Sequence, residues 1–113
     1  THMFASTWQA VLYAHGPDAP PLRGSTLTEK QTGIVLPMNS GVNGGRLHAW
    51  QKPDALGDRL IRLSTEPGHT VIDPFAGTGS FLVNAGTLGR HAQGAEVDPD
   101  MLASCEARGV RRA

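Results

Sequence analysis

Residues 70–82 read TVIDPFAGTGSFL, and no other stretch restricts the fold as much. Three β-branched residues lead to Asp73, Pro74 stops the extended run, and Gly77 and Gly79 stand one residue apart before an apolar stretch resumes. That order reads as a short buried strand, a bare loop and a helix. Glycines at such a turn let backbone N–H groups approach a ligand without side chains in the way. The helix that follows offers a partial positive charge at its start, suited to a carboxylate or phosphate.

The flanking sequence extends this into an α/β unit. In QKPDALGDRLIRLSTEPG, Pro53 suits a first helical turn and Asp54 complements the dipole. Leu56, Leu60 and Leu63 recur at helical spacing, and Pro67-Gly68 ends the element. After a strand at 70–73, a helix is expected from about Ser80 to Leu88 with Gly89 closing it. AQGAEVD reads as a second strand ending at Glu96. DPDMLASCEARG reads as a last helix with Asp98 as N-cap, Pro99 in the first turn and Gly109 after its end. A strand, helix, strand order implies a parallel βαβ core, a partial Rossmann-like fold.

The N-terminal part is less regular. Thr1–Met3 reads as a cloning remnant. TWQAVLYAHG alternates and predicts a leading strand within residues 4–16. Residues 17–47 are rich in Pro, Gly, Ser and Asn and read as a long, partly mobile connection, with GIVLP as a short strand inside it. A loop of that length is unusual in a compact domain and points to function or to missing neighbours. Residues 48–113 form the ligand-binding module. At 113 residues the chain holds one small domain.

Composition narrows the classes. Ten basic and ten acidic residues cancel, so no basic footprint marks a nucleic-acid surface. Basic residues gather only at Arg59/Arg62 and in the terminal RGVRR, which reads as solvated charge on a frayed tail. One cysteine, Cys105, excludes an internal disulfide and fits a reducing, cytoplasmic setting; on the last helix it reads as buried and inert. No apolar run reaches the roughly 20 residues of a membrane span. The five histidines have no metal-ligand spacing. Trp8, His48 and Trp50 read as packing or surface residues. Ser80 is no hydrolase nucleophile, because GTGSF departs from G-x-S-x-G.

The ligand class follows from the acids. Glu96 lies 23 residues after Asp73, near the spacing of about 20 at which an acid at the next strand end grips ribose hydroxyls. Asp98 is a weaker candidate for that role. The ligand therefore contains a nucleoside. The dinucleotide fingerprint needs a third glycine where Leu82 stands, and the phosphate-binding P-loop needs a lysine that GTGS lacks. An acid placed before the glycines can hold a ligand ammonium, which nicotinamide dinucleotides lack. The expected cofactor is S-adenosylmethionine.

From His48 to Asp100 the chain closely resembles the cofactor-binding half of amino-group DNA methyltransferases, which modify adenine N6 or cytosine N4 in duplex DNA. The resemblance rests on Q-K-P and its helix just before D-P-F-x-G-x-G-[ST], the permuted order of that family, and on a following strand that ends in an acid. STWQAVLYAHG is also similar, more vaguely, to the strand preceding this module. The resemblance implies that Asp73, Pro74, Phe75, Ala76, Gly77 and Gly79 surround the methionine and adenosine parts, that Ser80 assists, and that Glu96 binds the ribose. It places Gln51, Lys52 and Pro53 by the methionine end. Each has a plainer reading: Asp73 as a turn cap, Glu96 as a strand-end charge, Lys52 as a solvated lysine, Phe75 as core.

The same family positions the flipped base with a [DNS]-P-P-[YFW] loop. Here Pro20-Pro21 are flanked by Ala19 and Leu22, so neither the acceptor nor the ring is present. The chain thus reads as the cofactor half of such an enzyme, cut at both ends. Direct in-line methyl transfer would need a missing catalytic half, and the exposed sheet edge of so small a fragment predicts self-association into a homo-oligomer. Two other readings stay open: a non-catalytic cofactor-binding fragment, such as a phage or mobile-element remnant, and a different nucleotide enzyme built on a local βαβ unit.

Overall fold

The computed structural model describes residues 9–24, 26–31, 33–36 and 51–113. The elements run α1 (Asp54–Ser64), β1 (Thr70–Asp73), α2 (Ser80–Thr87), β2 (His91–Gly94) and α3 (Pro99–Ala107).

Pro53 occupies the N-cap position of α1 rather than its first turn, and Asp54 and Arg62 match the two ends of the dipole. The helix stops at Thr65, whose backbone is extended and whose N–H and hydroxyl both donate to Ile61 O. The inward stripe is centred on Gly57 and Ile61, while Leu56, Leu60 and Leu63 are only half-buried. The reason is the close approach of α2. A Cβ at Gly57 would lie 2.4 Å from Asn84 Nδ2, and that amide donates to Asp54 O at 2.7 Å.

β1 and β2 pair in parallel, Thr70 with His91 through Asp73 with Gly94, with α2 as the crossover. Regular pairing ends at Gly94, so Glu96 lies two residues beyond the strand it was expected to finish. Beyond Gly94 the backbone turns its bonds to the glycine loop: Ala95 N–H donates to Asp73 O, and Ala95 O accepts from Ala76 N–H. Leu82 and Ala85 bury the sheet-facing side of α2. Together with Ile61, Ala76 and Cys105 they make a small core.

The two later helices end as their sequences require. Gly89 and Gly109 follow α2 and α3 at φ 75° and 89°, the left-handed backbone that favours glycine. Asp98 caps α3 by accepting from Asp100 N–H at 2.8 Å and Met101 N–H at 3.5 Å. Arg90, 9% exposed, closes the base of the fold by donating to the hydroxyl and carbonyl of Thr65.

The N-terminal expectations need correcting. Residues 9–16 form no strand, and Val11, Leu12 and Tyr13 are exposed. Their alternation has no sheet to lie against, because the sheet among the described residues consists of β1 and β2 alone. Residues 4–8 of that expected strand lie outside the described residues, as do Trp8, His48, Trp50 and residues 37–47 of the connection. Residues 33–36 of GIVLP carry no strand either, with Val35 99% exposed.

The described part of the connection is irregular but anchored. Arg23 N–H donates to Leu63 O at 2.7 Å, and the Arg23 side chain pairs with Glu66. Arg59 of α1 donates through Nη2 to the carbonyls of Thr28, Glu29 and Gln31. Thr26 and Glu29 exchange side-chain to backbone bonds across one turn.

Candidate functional site

The site is built where β1 ends. Asp73 cannot pass its strand on to Pro74, and its Oδ1 accepts from Phe75 N–H at 3.1 Å, which bends the chain out of the sheet. Phe75 is 87% exposed, so it is not a core residue. Ala76 turns inward and is buried. Gly77 and Gly79 then take φ 55° and 76° and bring the chain to the start of α2 at Ser80.

The two glycines are required for different reasons. A Cβ at Gly77 would meet nothing within 4 Å, so that position borders open space. A Cβ at Gly79 would lie 2.9 Å from Cys105 Sγ. One glycine keeps the approach clear from outside, and the other admits α3 from behind.

Glu96 joins the loop to the second strand. Its Oε2 accepts from Gly77 N–H at 2.7 Å, and its Oε1 accepts from the N–H groups of Val97 and Asp98, each at 2.8 Å. The Asp98 N–H above all, then that of Gly77, holds the carboxyl below its ordinary value of 4.5, against a smaller opposing effect of burial. Glu96 is therefore an ionised acceptor near neutral pH. A carboxylate has about four lone-pair directions, so three backbone donors leave capacity on Oε2 for one more.

Behind the loop stands the last turn of α3. Cys105 Sγ donates to Gly77 O at 3.0 Å, so Gly77 is gripped at its N–H by Glu96 and at its carbonyl by Cys105. Burial pushes the thiol above its ordinary value, which keeps it protonated and able to donate. Cys105 is buried, as its position on the last helix predicted. Arg108 Nη1 donates to Ser80 Oγ at 2.8 Å and reaches Thr78 O at 3.5 Å. Its Nη2 pairs with Asp54 Oδ1 at 2.9 Å.

The structure thus brings Asp73, Pro74, Phe75, Ala76, Gly77, Gly79, Ser80 and Glu96 into one arc at the carboxyl ends of β1 and β2. Ser80 is buried, with its hydroxyl committed to Arg108. Gln51 is buried too. Lys52 is exposed and its Nζ donates to Gln9 Oε1 at 2.8 Å, away from the arc. Hydrogen bonds join the segment around Lys52 to the loop through Asp54 and Arg108. Sequence reasoning passed over Arg108 as part of a solvated tail. The one available signal was its position three residues after Cys105, on the same face of a helical last turn.

A hollow of about 310 Å³ runs from Ala76, Gly94 and Glu96 to Leu102, Cys105 and Val110. A wider groove of about 820 Å³ lies between α2 and the C-terminal residues. Among the described residues no group of His, Cys, Asp or Glu could hold a metal ion, and no helix is long and apolar enough to cross a membrane.

Three comparisons bear on this arrangement. Residues 5–106 match the family described as DNA methylase, of the N6/N4 type. The type II methyltransferase M2.DpnII of Streptococcus pneumoniae is 40% identical over 55 residues, which cover 49% of this chain and 20% of that protein. The type II methyltransferase M.HinfI of Haemophilus influenzae is 37% identical over 65 residues, or 58% and 18% of the two chains. Among solved structures, the M1.HpyAVI–SAM complex superposes with a TM-score of 0.67 at 27% identity, over 80% of this chain and 45% of that one. The chain therefore spans about a fifth of the curated relatives it matches and under half of that solved structure. The likeness to M1.HpyAVI agrees with the partial Rossmann-like architecture. The family match takes in the glycine loop together with the strand and helices that hold it, and the chain belongs to the DNA methylase family of the N6/N4 type.

Proposed function

We propose that this chain is the S-adenosylmethionine-holding portion of a DNA methyltransferase that modifies an exocyclic amine of duplex DNA, adenine N6 or cytosine N4. The observation that carries the reading is the bond between Gly77 N–H and Glu96, which sets a bare loop and an ionised acceptor side by side at the strand ends. Ligands of open α/β sheets bind in that place.

The residues present fit the cofactor. The open face at Gly77 leaves room for it, and the exposed ring of Phe75 offers an apolar surface beside that space. In this reading Asp73 holds the ammonium of the methionine part, and the remaining capacity of Glu96 Oε2 takes a ribose hydroxyl. Pro74 and Ala76 shape the loop, with Ser80 acting from behind it. Gln51 and Lys52 belong to the methionine end, Lys52 after leaving Gln9. When bound, S-adenosylmethionine supplies an electrophilic methyl group. The work of the chain is to hold that group in one place and orientation, and positioning is the main source of acceleration in direct transfer.

The acceptor amine needs its own holder. No [DNS]-P-P-[YFW] segment occurs in the 113 residues, so the target base would be positioned by a separate catalytic half that supplies one. The same observation favours a second reading, a cofactor-binding fragment without catalysis of its own. Calorimetric titration with S-adenosylhomocysteine, on the wild-type chain and Asp73→Ala, tests the shared core of both. Saturable binding that weakens at least tenfold in the variant is expected. No binding by a folded wild-type chain would refute the cofactor reading.

A further inference from the structure

Arg108 is unusual among the charged residues of this chain. Its side chain is 13% exposed, and it lies at the start of α2, where the helix dipole disfavours a cation. A buried guanidinium stays in such a place only if its donors are matched. They are matched by Ser80 Oγ at 2.8 Å, Thr78 O at 3.5 Å and Asp54 Oδ1 at 2.9 Å, on two different elements. The planar fork spans the first residue of α2 and the first residue of α1, a reach that a lysine ammonium does not reproduce.

We propose that Arg108 is a positioning residue for the glycine loop, locking the loop from behind against the entrance of α1 so that its ligand-facing backbone is preformed. The proposal rests on the reading that this loop holds S-adenosylmethionine. Arg108 is placed by its bonds to Thr78, Ser80 and Asp54 rather than by a bond to Gly77. Its effect passes through Thr78 and Ser80, the residues on either side of Gly79, and through Asp54, which follows the Gln51-Lys52-Pro53 segment. A loop held in its binding conformation loses less freedom when the ligand arrives.

The test uses the full chain with Arg108→Met, Arg108→Lys and Asp54→Asn, and reads two quantities. One is amide hydrogen exchange of residues 77–80 without ligand, with residues 61–65 as an internal control. The other is calorimetric affinity for S-adenosylhomocysteine. Arg108→Met is expected to weaken affinity roughly tenfold, the scale of one lost charged hydrogen bond, and to speed exchange in 77–80 but not in 61–65. Arg108→Lys should recover part of the affinity. Asp54→Asn should weaken binding less, and add little when combined with Arg108→Met.

Unchanged affinity in a folded Arg108→Met chain would overturn the proposal alone. So would exchange rising equally in both segments, since that marks a general loss of stability. If Arg108→Met does not fold, the lysine and asparagine variants decide: affinity and loop exchange equal to wild type in both would overturn it. A wild-type chain that binds no S-adenosylhomocysteine would overturn the cofactor reading and this proposal together.

Discussion

Two irregular segments, residues 17–36 and the loop at 74–79, are held by the same device but to different degrees. Each is rich in glycine or proline, and each has arginine side chains from a helix bonded to its carbonyls. Arg59 of α1 gathers three carbonyls of the first segment, and Arg108 at the end of α3 reaches one carbonyl of the second and the Ser80 hydroxyl just after it. The difference lies in what else is present. The glycine loop is also bonded at Gly77 from both sides, by Glu96 and Cys105, and its Ala76 is buried as Leu82, Ala85 and Ile61 of the small core are. The earlier segment lies with Leu27 and Val35 in solvent. An arginine can gather a loop, but a small core behind the loop gives it one conformation.

Gly79→Val should break the stronger side of this comparison with the largest effect. The side chain would enter left-handed backbone and press on Cys105 Sγ, costing about 3 kcal/mol or more. Urea unfolding should show it, and Cys105→Ala should relieve only the part due to contact. A cost under about 1 kcal/mol would mean that α3 does not back the loop as described.

Arg59→Met addresses the weaker side. It keeps the apolar stem and removes the three carbonyl contacts, at a cost of about 1–2 kcal/mol. Limited proteolysis should become faster in residues 17–36 and stay unchanged in 74–79. Equal cleavage of both segments would show that they are not independent.

The smallest effect is a pH dependence confined to the glycine loop. The carboxyl of Glu96 is lowered in the folded chain, so its contribution is present above the unfolded value near 4.5 and fades as pH falls through the lower folded value. Wild type should melt above Glu96→Gln near neutral pH, and the gap should narrow in acid. A gap that stays constant down to pH about 3 would mean that Glu96 does not staple Gly77 through its charge.

Most of the site was legible because its signals are local. Pro74, Gly77 and Gly79 constrain their own backbone, Asp98 caps its own helix, and Gly89 and Gly109 end theirs. The misreadings were of residues whose state depends on distant neighbours. The alternation around Val11, Leu12 and Tyr13 predicts a strand, yet a strand needs a sheet edge that accepts it. For Phe75 it is the plainer reading as core that fails, because its place at the turn after Asp73 directs it outward. The bond of Lys52 to Gln9 across 43 positions is likewise a contact that no local pattern encodes, and it leaves Lys52 at the methionine end as a proposal.

The amino-acid order alone determined the βαβ succession and the bare loop after Asp73, because each rests on backbone preferences of near neighbours in the chain, and it carried the family resemblance from His48 to Asp100. The tertiary structure decided which groups hold that loop. Glu96 reaches Gly77 across 19 positions, Cys105 and Arg108 reach Gly77 and Ser80 across 28, and Arg108 reaches Asp54 across 54. Such bonds depend on how three helices and two strands pack. A charge assigned to a solvated tail therefore becomes a half-buried clamp only once the chain has folded around it.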